Sequence, residues 1–531
     1  MGYLTAMTRT RLLALPMLLL ALASAADARA NFRTGLDALP APIADNPTAW
    51  DGAIRQTGIS VIRDQTAWAV AAPTRPANEE NPNDPAYRWA TIDEQVRIAA
   101  RLGGQAMLNI YRAPTWAEGA DRPTTGYGPC RRGDVAGQTP PCAGSWKPDH
   151  VALGKFGKAI ATRYSGTTPD PLNPGSNLPE VTMYELWNES NYKMYLAPHC
   201  SKGFIVAANN RCSSGGTLIS IEMYRRMLNA FHDGVKSVNP DARIIAGAVA
   251  PYSWSSQGYE LDPQVFMRGL LCLGGSARTP IALSSSKCPV KAKFDAFSFH
   301  PYNPTGTPNA KAYSPDGGAI GNSPDLMRAL SVAVAKRTVL PAGPKELLAT
   351  EFAWATCPPC RATSDPNKPI GYPEEKAAAY TSETLYRLWA SGVRMLVWFG
   401  LVDGPVDNAT SGTSRWPSGL FFYGATPQAI RAKSVVRAFR FPIFAVKSGS
   451  KAFAWTMSPC RVPGATVTFQ VRSNMTGRYE TVATRRLPVG TDGVVKTPTW
   501  AIPRFTRDVR ATVSGTGCAT ESSFNTPIAA K

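Results

Sequence analysis

Val181-Thr-Met-Tyr-Glu-Leu-Trp-Asn-Glu189 is an apolar run that carries a tryptophan and then breaks on an amide and a carboxylic acid, followed by Ser190-Asn191. A buried strand that ends this way aims a proton donor into whatever lies beyond it. The same design recurs far downstream in Lys345-Glu-Leu-Leu-Ala-Thr-Glu351-Phe-Ala-Trp354, again an apolar strand running out onto a glutamate with an aromatic close behind.

Working outward from these two, further short apolar runs stand at Ile59–Arg63, Gln105–Tyr111, Arg243–Val249, Phe294–Tyr302 and Arg394–Gly400, with a less regular one at Phe32–Leu36. Amphipathic segments separate them. In the clearest, Ile221, Tyr224, Leu228, Phe231, Val235 and Val238 recur at helical steps and stop at Asn239-Pro240. Continuous apolar strands alternating with helices are parallel strands buried on both faces. Eight such units predict an α/β chain built as a (β/α)8 TIM barrel. An open doubly wound sheet would carry a Gly-rich phosphate loop after its first strand, and none is present.

The barrel is expected over 31–443, longer than the ~250 residues typical of the fold, so it needs insertions. They are visible at Glu118–Lys147, Leu196–Gly216, Ser253–Ser286, Pro304–Pro324 and Asp403–Gly424, rich in Gly, Pro, Ser and Asn. Most follow strands, on the face where barrel active sites lie. After Pro442 the pattern changes to short alternating runs at Thr466–Arg472, Glu480–Ala483 and Arg510–Ser514. These predict a small C-terminal β-sandwich over 444–531, an Ig-like accessory domain that binds sugar or caps the barrel.

Residues 1–30 read as an export signal: Arg9 and Arg11, an apolar core from Leu12 to Leu22, and Ala28-Arg29-Ala30 as a small-x-small cleavage site. The apolar run is shorter than the ~20 residues needed to span a bilayer, so no membrane span is expected. The chain is therefore placed outside the cytoplasm, extracellular or periplasmic. Ten cysteines then imply oxidised pairs. Spacing suggests local staples, Cys130 with Cys142, Cys200 with Cys212, Cys272 with Cys288, and Cys357 with Cys360, leaving Cys460 and Cys518 to bracket the C-terminal region. Cys357-Pro-Pro-Cys360 also fits a redox motif, but it follows a candidate catalytic strand instead of opening a helix, which favours a structural bridge.

Formal net charge is +19, and losing three arginines and one aspartate with residues 1–30 leaves +17. Such a charge allows an anionic polymer or cell surface as partner. The basic residues are dispersed, which argues against nucleic acid. The histidines are scattered without metal-ligand spacing, so neither metal nor cofactor is expected. A G-x-S-x-G elbow is absent. What remains is carboxylate chemistry.

On that reading, Trp187-Asn188-Glu189-Ser190-Asn191 resembles the acid/base motif of clan A glycoside hydrolases. Thr350-Glu351-Phe352 resembles their nucleophile strand, Phe299-His300-Pro301-Tyr302 their sixth strand and Val397-Trp398-Phe399 their eighth, with families 39 and 5 nearest. The resemblance implies a retaining double displacement on a carbohydrate substrate. Glu189 would be acid and base, Glu351 the nucleophile, and Asn188 the partner of the sugar 2-hydroxyl, with ionisation of Glu351 raising the pKa of its neighbour. Arg63, at the end of strand two, would stabilise the Glu351 anion or pair elsewhere in the barrel. His300 and Tyr302 would orient the nucleophile or contact hydroxyls, and Trp116, Trp354 and Trp398 would stack on sugar faces. Glu185 competes with Glu189, having the same strand parity. Two alternatives share the fold: a non-catalytic carbohydrate-binding protein, and a transglycosylase that remodels cell-wall or exported polysaccharide.

Overall fold

The computed structural model describes residues 32–37, 48–125, 130, 139–203, 206, 209–253, 260–303, 306–358, 360–361, 371–404, 406–408, 413–414, 417–424 and 426–529. The export signal lies outside them. Eight parallel strands close into a barrel: β1 (Arg33–Asp37), β2 (Val61–Ala67), β3 (Gln105–Tyr111), β4 (Met183–Leu186), β5 (Arg243–Val249), β6 (Ala296–Phe299), β7 (Glu346–Phe352) and β8 (Val393–Phe399). β1 closes the ring, pairing Gly35 with both Val61 of β2 and Val397 of β8. A Cβ on Gly35 would sit 3.1 Å from Val397 Cγ2 and from the Val61 carbonyl, so the seam is tight.

The lumen is layered. Alternate residues along each strand face inward, and the lower layer is apolar: Val61, Met107, Met183, Ile245, Ala296, Leu348, Met395 and Val397 pack as one cluster. One step up, the same parity delivers Asp37, Arg63, Asn109, Glu185 and Ser298, all buried and polar. The top layer opens to a cleft. The opposite parity feeds the larger core between strands and helices.

The helix over Ser220–Lys236 buries Tyr224, Leu228, Phe231 and Val235, as its periodicity predicts. It packs on the helix over His150–Arg163 so closely that a Cβ on Gly234 would lie 2.0 Å from the Gly154 carbonyl. Three expectations need correction. β2 begins at Val61 and runs to Ala67, so Arg63 lies inside the strand and not at its end. β4 spans only Met183–Leu186, because Trp187 takes a left-handed φ of 66° that breaks the strand. Ser253–Ser286 is no simple loop, since it holds a helix (Pro263–Leu270) and a hairpin of Leu273–Gly275 with Pro280–Ala282.

Beyond the barrel, two sheets form a sandwich around a second core. One sheet holds Ile443–Ser448, Lys451–Met457, Val494–Lys496, Trp500–Ala501 and Ile528–Ala529. The other holds Thr466–Ser473, Tyr479–Arg486, Thr506–Gly515 and Cys518–Ser522. The first of these sheets docks on the helix over Glu374–Ala390, where Tyr386 stacks on Phe444 at 4.8 Å and meets Trp455 edge-on at 5.8 Å. Asp492 of the sandwich accepts the Phe32 N–H at 3.1 Å, just ahead of β1.

Disulfides join Cys130 to Cys142, Cys200 to Cys212, Cys272 to Cys288 and Cys460 to Cys518. Cys357 is also in a disulfide, and the side chain of Cys360 lies outside the described residues. No described helix is long and apolar enough to cross a membrane.

Candidate active site

The cleft above the barrel has a volume of about 450 Å³. Tyrosines dominate its lining: Tyr192, Tyr195, Tyr252, Tyr302 and Tyr372, with Trp354, Phe399 and the amides of Gln65, Asn188 and Asn303. Aromatic faces edged by amides and hydroxyls suit a ligand with both C–H faces and hydroxyl rims. Glu189 and Glu351 lie at its base.

Glu351 is in the last turn of β7, and Glu189 stands three residues beyond β4. Trp187 and Glu189 both have positive φ, 66° and 42°, a conformation costly for residues with a Cβ. Backbone bonds hold the kink: Trp187 N–H donates to Ile110 O at 2.6 Å and Glu189 N–H to Ala248 O at 2.8 Å. The kink cancels strand parity, so Glu185 and Glu189 part company. Glu185 is wholly buried and accepts from Arg63 Nε at 2.7 Å, Asn109 Nδ2 at 3.0 Å and Ser298 Oγ at 2.6 Å. Glu189 is turned into the cleft.

One donor or acceptor atom each of Glu189, His300 and Glu351 lies within 4.8 Å of the others, the one such trio of acidic, His and Cys groups among the described residues. Sequence spacing does not show it, because the three come from different strand ends. His300 Nδ1 stands 3.1 Å from Glu189 Oε1 and 3.7 Å from Glu351 Oε2. Tyr302 donates its hydroxyl to Glu351 Oε1 at 3.0 Å.

Arg63 is the hub below. Its Nε serves Glu185, Nη1 serves Asp37, Nη2 donates to Asn188 Oδ1 at 3.1 Å, and Nη1 also reaches Glu351 Oε2 at 3.5 Å. Arg63 thus contacts Glu351 and also pairs elsewhere in the barrel, with Glu185 and Asp37. Its tighter contacts are the ones to Glu185 and Asp37.

Burial pushes Glu185 up, but Arg63, His300 and the Ser298 hydroxyl outweigh it and hold the carboxyl below its ordinary value. Glu351 goes the other way. Burial raises it to about 7, His300 and Arg63 pull it down, and the Glu189 and Asp37 charges add to the rise. The rise therefore falls on Glu351, whereas the sequence placed it on the neighbour. Burial lowers His300, but Glu351 and Glu189 reverse this and leave it raised. Nearby, burial lifts Glu260 to about 8, against an opposing hydrogen bond from Lys193 N–H at 2.9 Å.

Of the three tryptophans expected to stack on sugar, Trp354 lines the cleft, its indole N–H tied to Thr384 Oγ1 at 3.1 Å. Trp398 does not. Met395, Val397 and Phe399 take the inward parity of β8, so Trp398 points out of the barrel, fully buried against Phe439 with its N–H on Ser418 O at 2.8 Å. Phe399 takes its place in the cleft. Trp116 packs a loop, its N–H on Ala72 O at 2.9 Å and its ring edge-on to Trp68. The sequence reading missed Asp37, Gln65, Asn109, Ser298 and the loop tyrosines. The first four were legible in principle as polar residues at inward positions of apolar strands.

No family model and no curated protein matches the chain. Solved structures do. One is a family 39 glycoside hydrolase from the gut symbiont Bacteroides cellulosilyticus WH2, 14% identical, covering 90% of this chain and 82% of that one with a TM-score of 0.50. Others are a glucosidase from Croceicoccus marinus (12% identical, 90% and 95% covered, TM-score 0.44) and a GH30 endoxylanase from Clostridium papyrosolvens C71 (11%, 89% and 98%, TM-score 0.41). At such identities the likeness to the first is one of fold alone, a (β/α)8 barrel.

Proposed function

We propose that this chain is an exported retaining glycoside hydrolase acting by double displacement on an oligo- or polysaccharide. The observation that carries the reading is that one carboxylate oxygen of Glu189 lies within 4.8 Å of one of Glu351, at two strand ends under an aromatic cleft. Retaining enzymes hold their two carboxyl groups ~5–5.5 Å apart, and inverting ones leave ~6.5–9.5 Å for a water. The chemistry follows from position. Glu351 attacks the anomeric carbon as Glu189 gives its proton to the leaving oxygen, forming a glycosyl ester. Glu189 then takes a proton from water, which displaces Glu351 and restores both groups.

The surrounding bonds suit these roles. Burial, with the Glu189 charge beside it, raises Glu351 to about 7. The Tyr302 hydroxyl and Arg63 both donate toward Glu351, which favours its charged form. Asn188 has its oxygen committed to Arg63, so its Nδ2 is left to donate to a sugar hydroxyl. Trp354, Phe399 and the loop tyrosines supply stacking faces. The sandwich buttresses the barrel through Tyr386, and export fits the disulfides.

The test is intact-protein mass spectrometry after incubation with a panel of 2-deoxy-2-fluoro glycosyl fluorides. A mass increase that maps to Glu351, and is lost in Glu351→Gln, is expected. No labelling by any sugar, with Glu189→Gln binding oligosaccharides as well as the wild type does, would overturn catalysis in favour of binding alone.

A further inference from the structure

We propose that Asp37 is a positioning residue that holds Arg63 back from Glu351, so that the nucleophile feels a nearby cation without being locked into an ion pair. This rests on the reading of Glu351 as nucleophile.

The guanidinium has three nitrogens, and each has a first claim on it. Nε goes to Glu185 at 2.7 Å and Nη2 to Asn188 at 3.1 Å. Nη1 is contested: it makes its close contact to Asp37 and only a 3.5 Å contact to Glu351. Asp37 can win because it is fixed. Its side chain is 1% exposed, it ends β1 directly beside Arg63, and its Oδ2 also takes a 3.2 Å bond from Gln65 Nε2. A close Arg–carboxylate pair is a strong charge-assisted contact, and one on Glu351 would lower its basicity and occupy a lone pair needed for attack. Shared with Asp37, the same cation stabilises the charge from a distance. The other groups around Glu351 are Glu189 from the end of β4, His300 and Tyr302 from the end of β6, and Tyr195 from the loop after β4. None of these bonds Nη1, so among the described residues it is Asp37 that competes with Glu351 for that nitrogen.

The test is Asp37→Asn in the full chain, read by carbon NMR of protein labelled at the glutamate carboxyls. The Glu351 signal is identified by its loss in Glu351→Gln. Removing the charge frees Nη1, and the Glu351 titration is expected to fall by about one pH unit, while labelling by a reactive glycosyl fluoride slows about tenfold. Asp37→Glu should return the titration toward wild type, and Asp37→Ser, also neutral, gives the same reading if the Asn variant does not fold. A purely structural role would lower the unfolding midpoint and leave the titration in place. An unmoved or raised Glu351 titration overturns the proposal. The NMR measurement needs no substrate, so it decides the role of Asp37 even if no sugar labels the wild type and the hydrolase reading fails.

Discussion

Arg63→Met is the substitution with the largest consequence for the barrel itself. The methionine fills similar space but leaves Asp37 and Glu185, both buried, without their cation. In the wild type Arg63 makes two close bonds to these carboxylates and a third to Asn188. Hydrogen bonds to charged groups contribute ~1.5–3 kcal/mol each, so the two close ones give roughly 3–6 kcal/mol. Removing one partner of a buried pair costs ~3–5 kcal/mol by independent reckoning. A loss of about 4 kcal/mol at pH 7 is therefore expected, measured by chemical unfolding followed through tryptophan fluorescence. The pH dependence has a definite sign. Burial raises Glu185 but Arg63 and its other partners hold it below its ordinary value, so its contribution is present above the unfolded pKa of ~4.3 and lost as pH falls through the lower folded value. The gap between wild type and variant should narrow below about pH 4. A gap under ~1 kcal/mol at pH 7, the size of a surface ion pair, would refute the reasoning, as would a gap that does not change with acid.

Further outcomes follow from single contacts. Glu189→Gln removes the charge that raises Glu351, so the acid limb of covalent labelling, near 7 in the wild type, should move to lower pH; an unmoved limb would show that burial alone sets it. Tyr302→Phe deletes the 3.0 Å bond to Glu351 and should slow labelling ~10–100-fold with the fold intact by circular dichroism. Phe399→Ala should weaken binding of oligosaccharide with little loss of stability, whereas Trp398→Ala should cost ~3–5 kcal/mol in unfolding experiments. Reducing Cys460–Cys518, which spans 58 positions, should destabilise the sandwich by ~4 kcal/mol on the chain-entropy estimate, read by its unfolding midpoint with and without reductant.

The barrel was legible because continuous apolar strands and 3.6-periodic helices are local signals. The two glutamates were legible because each terminates such a strand. What local reading missed depends on parity and on kinks. The strand rule gave Glu185 and Glu189 one facing, and the left-handed backbone at Trp187 and Glu189 undoes it. Trp398 came from the resemblance of Val397-Trp398-Phe399 to the family's eighth strand, yet its neighbours Val397 and Phe399 take the inward parity. Asp37 went unnoticed because a single acid ending a short first strand means little until Arg63 is placed beside it. In the sandwich, Val494–Lys496, Trp500–Ala501 and Ile528–Ala529 escaped because two or three residues are too few to show an alternation.

The seam at β1 has a consequence for how the chain can be made. Gly35 finds one neighbour at Val61, close by in sequence, but the other at Val397, near the end of the barrel. A chain emerging from its N-terminus first must therefore carry β1 with one edge unpaired until β8 arrives, and the Phe32 N–H waits longer still for Asp492. Contacts this distant in sequence close late and slowly. The architecture keeps its own N-terminal end open through most of synthesis, and the ring is sealed only after its last strand has been made.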